Sequence, residues 1–130
     1  MKIEQIVDTN KTMRAEELRL GNWIEIIDSK GVYTTVTKST FDCDVDVFYK
    51  PIPITVDWLL KLGFEYHAFD KNYVITTKDD WHNSIKEIEG DWCYNNDFSD
   101  AGCYFVRDIK YVHQLQNLYY AINEEELICK

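Results

Sequence analysis

The stretch Ile109–Ile122, IKYVHQLQNLYYAI, decides the fold class of this 130-residue chain. Val112, Leu115 and Ile122 recur in it at the three- and four-residue spacing that places apolar side chains on one side of a helix. We therefore expect a packed C-terminal α-helix, with Asn123 capping a last turn that contains three glutamates. Most of the remaining chain is strand-like, and a helix packed on an antiparallel sheet predicts an α+β fold.

Strand-like runs separated by turn signals predict two β-hairpins. The strands are expected at Asn22–Asp28 with Val32–Thr40, and at Phe64–Phe69 with Asn72–Lys78. One short helix is predicted between the hairpins, at Val56–Leu62, because Thr55 is a favoured N-cap residue and Gly63 a favoured helix stop. Weaker strand patterns follow at Ser84–Ile88 and Cys103–Arg107, with turn signals between them at residues 89–91 and 95–97.

The first hairpin resembles the opening of small SH3-like barrels. It joins the run from Leu20 to Ile24, LGNWI, through a turn at Gly31 to the run from Val32 to Val36. The resemblance implies an antiparallel, partly SH3-like barrel sheet.

Phe41–Lys50 has the period-2 pattern of a half-buried strand, which Pro51 ends. Asp42, Asp44 and Asp46 alternate there with apolar residues. A calcium loop of the EF-hand type would also need a glycine at its sixth position and a glutamate at its twelfth, and neither is present. We therefore interpret the three carboxylates as a solvated strand face rather than as a metal site.

Length and composition predict a single α+β domain over residues 13–130, preceded by an N-terminal extension over residues 1–12. Hydrophobic residues make up 45 % of the chain and aromatic residues 15 %, which suffices for a core. No apolar run approaches the ~20 residues of a membrane helix, and charges interrupt the start of the chain where a secretory signal would be apolar. We expect a cytoplasmic protein whose four cysteines are reduced thiols rather than two disulfides.

The sequence carries no recognisable catalytic motif. Zinc sites usually contain a close pair of ligands, and the chain has neither Cys-x-x-Cys nor His-x-x-x-His. A site built from His82, Cys93 and Cys103 stays open. There is no Gly-x-Ser-x-Gly elbow and no glycine-rich phosphate loop. We assign no catalytic residue, no metal ligand and no cofactor, and keep a metal-dependent hydrolase built from scattered Asp and His residues as an alternative.

The residues from Asp79 to Asp108 form an acidic and aromatic stretch with eight carboxylates and two cations. The whole chain has 23 Asp and Glu against 14 Lys and Arg, a net charge of −9, which argues against direct nucleic-acid binding. The stretch predicts either a solvated rim over the core or a surface that docks a protein partner, a basic one included. The residues expected to carry such a surface are Asp79, Asp80, Trp81, Glu87, Glu89, Asp91 and Trp92.

The C-terminal helix offers a second candidate binding surface. Opposite its apolar stripe, helical spacing groups His113, Gln116, Asn117 and Tyr120. These side chains form more varied hydrogen bonds than the Lys and Glu side chains that are common on surfaces without a binding role. We expect this face to be exposed or to contact a partner, with a second copy of the chain among the alternatives.

Three segments carry distinctive motifs: Ala15–Ile24 (AEELRLGNWI), Pro51–Phe64 (PIPITVDWLLKLGF) and Ile109–Leu127 (IKYVHQLQNLYYAINEEEL). Together they resemble a family of small proteins from Bacteroidetes genomes and their phages and mobile elements. The family has no assigned activity, so the resemblance implies a bacterial or phage cytosol and an accessory role. With the acidic stretch, it predicts a non-enzymatic protein that binds a protein partner, as an inhibitor or nucleic-acid mimic in one version. A virion or ring component is a further alternative.

Overall fold

The computed structural model describes residues 14–78, 82–98 and 102–129. The chain divides into two compact units, the first ending at Ile52 and the second beginning at Pro53. Both contain antiparallel strands and helical segments, which confirms the α+β class. The extension predicted for residues 1–12 lies outside the described residues, and the single domain over residues 13–130 stays a prediction.

The first unit contains a three-stranded sheet formed by β1 (Trp23–Ile26), β2 (Tyr33–Thr35) and β3 (Tyr49–Lys50). The strand order is β2-β1-β3, and all neighbours are antiparallel. The first predicted hairpin is confirmed over these strands, but the end of its predicted second strand, residues 38–40, is helical. Its turn contains Gly31, whose φ of +81° is easy for glycine and strained for other residues. Leu18, Ile24, Val36 and Val45 form the hydrophobic cluster of this unit.

The strand predicted over Phe41–Lys50 is wrong except at its last two residues, which form β3 (Tyr49–Lys50). A 3-10 helix covers Lys38–Asp42, and a one-turn helix, α1, covers Val45–Phe48. Thr37 and Thr40 close a capping box, in which the Thr37 amide donates to Thr40 Oγ1 at 2.9 Å. This local capping outweighs the period-2 pattern, because capped turns satisfy backbone groups that a strand would leave to a neighbour. Asp42, Asp44 and Asp46 accordingly do not share a strand face.

The second unit contains a five-stranded antiparallel sheet in chain order, β4 to β8. The strands are β4 (Glu65–His67), β5 (Asn72–Thr76), β6 (His82–Ile88), β7 (Asp91–Phe98) and β8 (Gly102–Ile109). The second predicted hairpin and the two weaker strand patterns are confirmed. The turn predicted at residues 95–97 is wrong, because β7 runs through them. β4 and β8 are the outer strands, so the described sheet is open rather than closed into a barrel.

Two helices belong to the second unit, α2 (Val56–Lys61) and α3 (Val112–Asn123). The Thr55 hydroxyl accepts a hydrogen bond from the Trp58 amide at 3.3 Å, which is the predicted N-cap of α2. α3 confirms the predicted C-terminal helix, but it begins at Val112 rather than Ile109, because Ile109 is the last residue of β8. It ends at Asn123, because Glu124 is left-handed at φ 57°. The helical turn predicted after Asn123 is therefore wrong. No helix in the described residues is both long and apolar enough to span a bilayer.

Candidate functional site

The register of the second sheet brings two hairpin turns to the same end. Tyr73 pairs with Ile85, and Ile88 pairs with Asp91. Because neighbouring strands are antiparallel, the turn after β4 (residues 68–71) and the turn after β6 (residues 89–90) lie at one end of the sheet. We call this the turn end. Residues of the two turns therefore lie at the same end although they are about 20 positions apart in the sequence.

An aromatic row crosses the sheet near the turn end. Tyr66 and Tyr73 are cross-strand partners, and their ring centroids are 5.0 Å apart at 50°. Tyr73 also meets Trp92 edge-on, at 6.2 Å and 64°. Both geometries are favourable for aromatic pairs. Tyr66 is 52 % exposed and Trp92 is partly buried. The row therefore extends from a partly buried ring at Trp92 to an exposed ring at Tyr66.

Phe69 lies in the turn after β4 and is 97 % exposed. A phenylalanine in water gains about 1.5–3 kcal/mol when it is fully buried. Nothing among the described residues covers this ring, whereas Tyr66 and Tyr73 are held in contact with other rings. Phe69 is therefore the most available apolar anchor of the turn end.

Carboxylates surround these rings at the turn end. They belong to Asp70, Glu87, Glu89 and Asp91. In the described part of the chain none of the four forms an ion pair. The same end of the sheet also contains four cations: Lys71, Lys86, Arg107 and Lys110. The combination gives an exposed apolar patch bordered by carboxylates that form no ion pair.

Backbone strain is concentrated at this end of the sheet. Lys71, Glu89 and Asp108 have φ values of 55°, 53° and 61°, in the left-handed region. Each such non-glycine residue costs roughly 1–2 kcal/mol. Asp108, near the end of β8, also faces Lys110 Nζ at 3.5 Å. Glu89 and Gly90 are both left-handed and form the two-residue turn between β6 and β7, so the strain there is what a tight hairpin requires.

The predicted acidic surface is thus brought together in part. Glu87, Glu89, Asp91 and Trp92 lie at or beside the turn end, while Asp79, Asp80 and Trp81 lie outside the described residues. Sequence reasoning missed Tyr66, Phe69 and Tyr73. The signal that would have found them was the second hairpin itself, since small and polar residues dominate turns and a phenylalanine beside one is unusual.

The polar face predicted on the C-terminal helix is wrong for two of its four residues. His113 and Gln116 are each 1 % exposed, Asn117 is half-buried and Tyr120 is 41 % exposed. The buried positions of α3, which include Val112 and Tyr119, span roughly 160° of the helix circumference. The buried face is therefore wider than the apolar stripe, and His113 stacks on the Tyr111 ring at 5.9 Å.

A buried polar network joins α3 to the sheet. Asn83 Oδ1 accepts hydrogen bonds from the Tyr94 hydroxyl, from Asn96 Nδ2 and from Asn123 Nδ2, the last at 3.0 Å. Asn83, Tyr94 and Asn96 are all fully buried. Burial also raises the pKa of the Tyr94 phenol well above its ordinary value. We interpret this network as structural, because its members bond mainly to one another.

The part of the chain that the structure describes contains no metal site. No three His, Cys, Asp or Glu side chains in it lie close enough together to hold an ion. His82 pairs with Asp97 across the strands, whereas Cys93 pairs with Lys86. His82 and Cys93 are thus separated by four strand positions, about 13 Å, too far for a shared zinc. The thiols of Cys43, Cys93 and Cys129 are free.

No protein-family model, curated protein or solved structure matches this chain. The resemblance to the Bacteroidetes and phage family therefore stays a prediction from the sequence motifs. The turn end has to be judged on its own chemistry.

Proposed function

We propose that this chain is a non-enzymatic interaction protein that binds a basic protein partner through the turn end. The observation that carries the proposal is the position of Phe69. It is 97 % exposed at the same end of the sheet as Glu87, Glu89 and Asp91. An exposed ring beside carboxylates that form no ion pair is what a partner with an apolar pocket and flanking Lys or Arg side chains would recognise.

The two components of the site do different work in this proposal. The unpaired carboxylates attract a positively charged partner and speed its encounter, an effect that salt weakens. The aromatic side chains then supply the buried contact area that slows dissociation. The row of Tyr66, Tyr73 and Trp92 holds the patch in a defined arrangement before binding, so less side-chain entropy is lost when the complex forms.

The proposed setting follows the sequence resemblance. We place the protein in the cytoplasm of a bacterial host, with an origin in a phage or mobile element. One version of the function is mimicry of nucleic-acid phosphates by the carboxylates of the turn end. In that version a DNA oligonucleotide competes with this protein for the same partner.

Affinity capture from a Bacteroidetes lysate tests the proposal with a matched pair of variants. The site variant is Glu87→Lys with Glu89→Lys, and the control is Asp44→Lys with Asp46→Lys in the first unit. Both pairs are exposed and change the net charge equally. We expect a basic protein to be captured by the wild type and the control and lost by the site variant. Equal capture by all three, or equal loss from both variants, contradicts the proposal.

A further inference from the structure

The first unit carries an apolar groove that the proposed function does not use. Its volume is about 390 Å³, within the range of small-molecule sites. Ile26, Phe48 and Tyr49 supply its apolar lining, and Ser39, Cys43 and Asp28 supply its polar groups. We propose that this groove binds a small organic cation, an ammonium group attached to an aromatic or aliphatic body.

Backbone pairing fixes the walls of the groove. Ile26 pairs with Tyr49 across β1 and β3, and the Ile27 amide donates to the Phe48 carbonyl at 3.0 Å. On the other side, the Cys43 thiol donates to the Thr40 carbonyl at 3.2 Å. The lining therefore comes from elements that hydrogen bonds already hold, as in a preformed site.

Phe48 supplies the contact for the ligand's body. Its side chain is 53 % exposed although it lines an apolar groove, so an apolar ligand gains contact area by covering it. A ring in this position also attracts a cation over its face. Both effects favour a ligand that combines hydrocarbon with positive charge.

Asp28 decides the sign of the ligand's charge. It is the charged residue of the lining, and within the described residues its carboxylate forms no ion pair. Lys30 and Arg19 are its nearest cations in sequence, and neither lines the groove. An ammonium ligand would form an ion pair with Asp28, whereas the Asp28 carboxylate would repel a ligand of the same shape that carries a carboxylate.

Cys43 allows the groove to be tested without knowing the natural ligand. The probes are three compounds of similar shape: 2-phenylethylammonium, neutral 2-phenylethanol and anionic 3-phenylpropionate. Each is added to the full chain during alkylation by iodoacetamide, and peptide mass spectrometry reads the rate at Cys43. Cys129, a partly buried free thiol of the second unit, is the internal reference.

We expect the ammonium compound to slow alkylation of Cys43 most, the alcohol less and the acid least, with Cys129 unchanged. Asp28→Asn should weaken protection by the ammonium compound about two- to fivefold, the range for an exposed charge pair, and leave protection by the alcohol unchanged. Phe48→Ala should abolish protection by both. The control is Val47→Ala, at an exposed neighbour outside the lining, which should change nothing.

Three results overturn the inference. Equal protection by all three probes, or an Asp28→Asn variant that protects like the wild type, shows that charge does not select the ligand. The absence of Cys43 protection by the ammonium compound at saturating concentration shows that the groove binds no such molecule. None of these results affects the proposal for the turn end, which lies in the second unit.

Discussion

Asn123, the last residue of helix α3, donates a hydrogen bond to Asn83 Oδ1 at 3.0 Å, which ties the end of the helix to strand β6. The same oxygen accepts from Tyr94 and Asn96. One buried acceptor therefore serves three donors on two different elements. A substitution of Asn83 therefore tests how much these hydrogen bonds contribute to the packing of α3 on the sheet.

Replacement of Asn83 by alanine should destabilise the fold. The variant removes the acceptor that Tyr94, Asn96 and Asn123 share. Asn123 Nδ2 keeps the Tyr119 carbonyl at 3.1 Å, so the Tyr94 and Asn96 donors lose most. Each buried unsatisfied group costs about 1–3 kcal/mol. We expect the free energy of unfolding to fall by about 3 kcal/mol, since the donors can relax in part. Urea denaturation followed by circular dichroism measures it. The control is Asn95→Ala, at a half-buried neighbour outside the network, and an equal loss in both variants would contradict the role of Asn83.

Stability should decrease at alkaline pH because of buried tyrosines. Burial raises the pKa of Tyr119 from 10.0 to about 12, with a smaller contribution from the Glu125 carboxylate. Between those two pH values the unfolded chain loses the phenolic proton while the folded chain retains it, so unfolding becomes easier as the pH rises. The contribution of Tyr119 to stability is complete below the lower value and lost as the pH approaches the higher one.

Denaturation curves at a series of pH values test this expectation. Tyr119→Phe should flatten the decrease in unfolding free energy between pH 10 and about 12, because phenylalanine has no proton to lose. Tyr120→Phe, at the exposed neighbouring position, serves as the control and should follow the wild type. If Tyr119→Phe declines as steeply as the wild type, the pKa of Tyr119 is not raised in the folded state.

The N-cap of α2 should contribute measurably to stability. Thr55 Oγ1 accepts from the Trp58 amide at 3.3 Å, and removal of such a cap typically costs about 1 kcal/mol. We expect that loss for Thr55→Ala and close to none for Thr55→Ser, which keeps the hydroxyl. The midpoint of urea denaturation distinguishes the two variants. If the Thr55→Ala and Thr55→Ser curves coincide, the capping hydrogen bond does not contribute to stability.

The hairpins were predictable from the sequence because their turns have strong local signals. Gly31 and the Asp70-Lys71 pair both lie in observed turns. The strand predicted at Phe41–Lys50 was based on aspartates that alternate with a period of two residues. Thr37 and Thr40 instead cap a helical turn at the start of this segment. Strand β7 contains two consecutive asparagines that are typical of turns, and the buried partner that stabilises Asn96 is not visible in a sequence.

The candidate site was only partly predictable, for a related reason. The carboxylates and Trp92 stood out by composition, but strand register decides which hairpin turns share an end of the sheet. Phe69 has no evident relationship to Glu87 and Glu89 in the sequence until strand β5 is paired with strand β6. On α3, the width of the buried face depends on what the helix packs against, which is why the sequence pattern placed His113 and Gln116 outside the core.

Photo-crosslinking from position 69 tests the central claim most directly. Phe69 is replaced by the photoreactive analogue p-benzoylphenylalanine, and the same analogue at Phe41, an exposed phenylalanine of the first unit, is the control. After irradiation in a Bacteroidetes lysate, we expect a discrete adduct with a basic protein from position 69 only, and its loss when Glu87→Lys and Glu89→Lys are added. No adduct from position 69, or the same adduct from both positions, would contradict binding at the turn end.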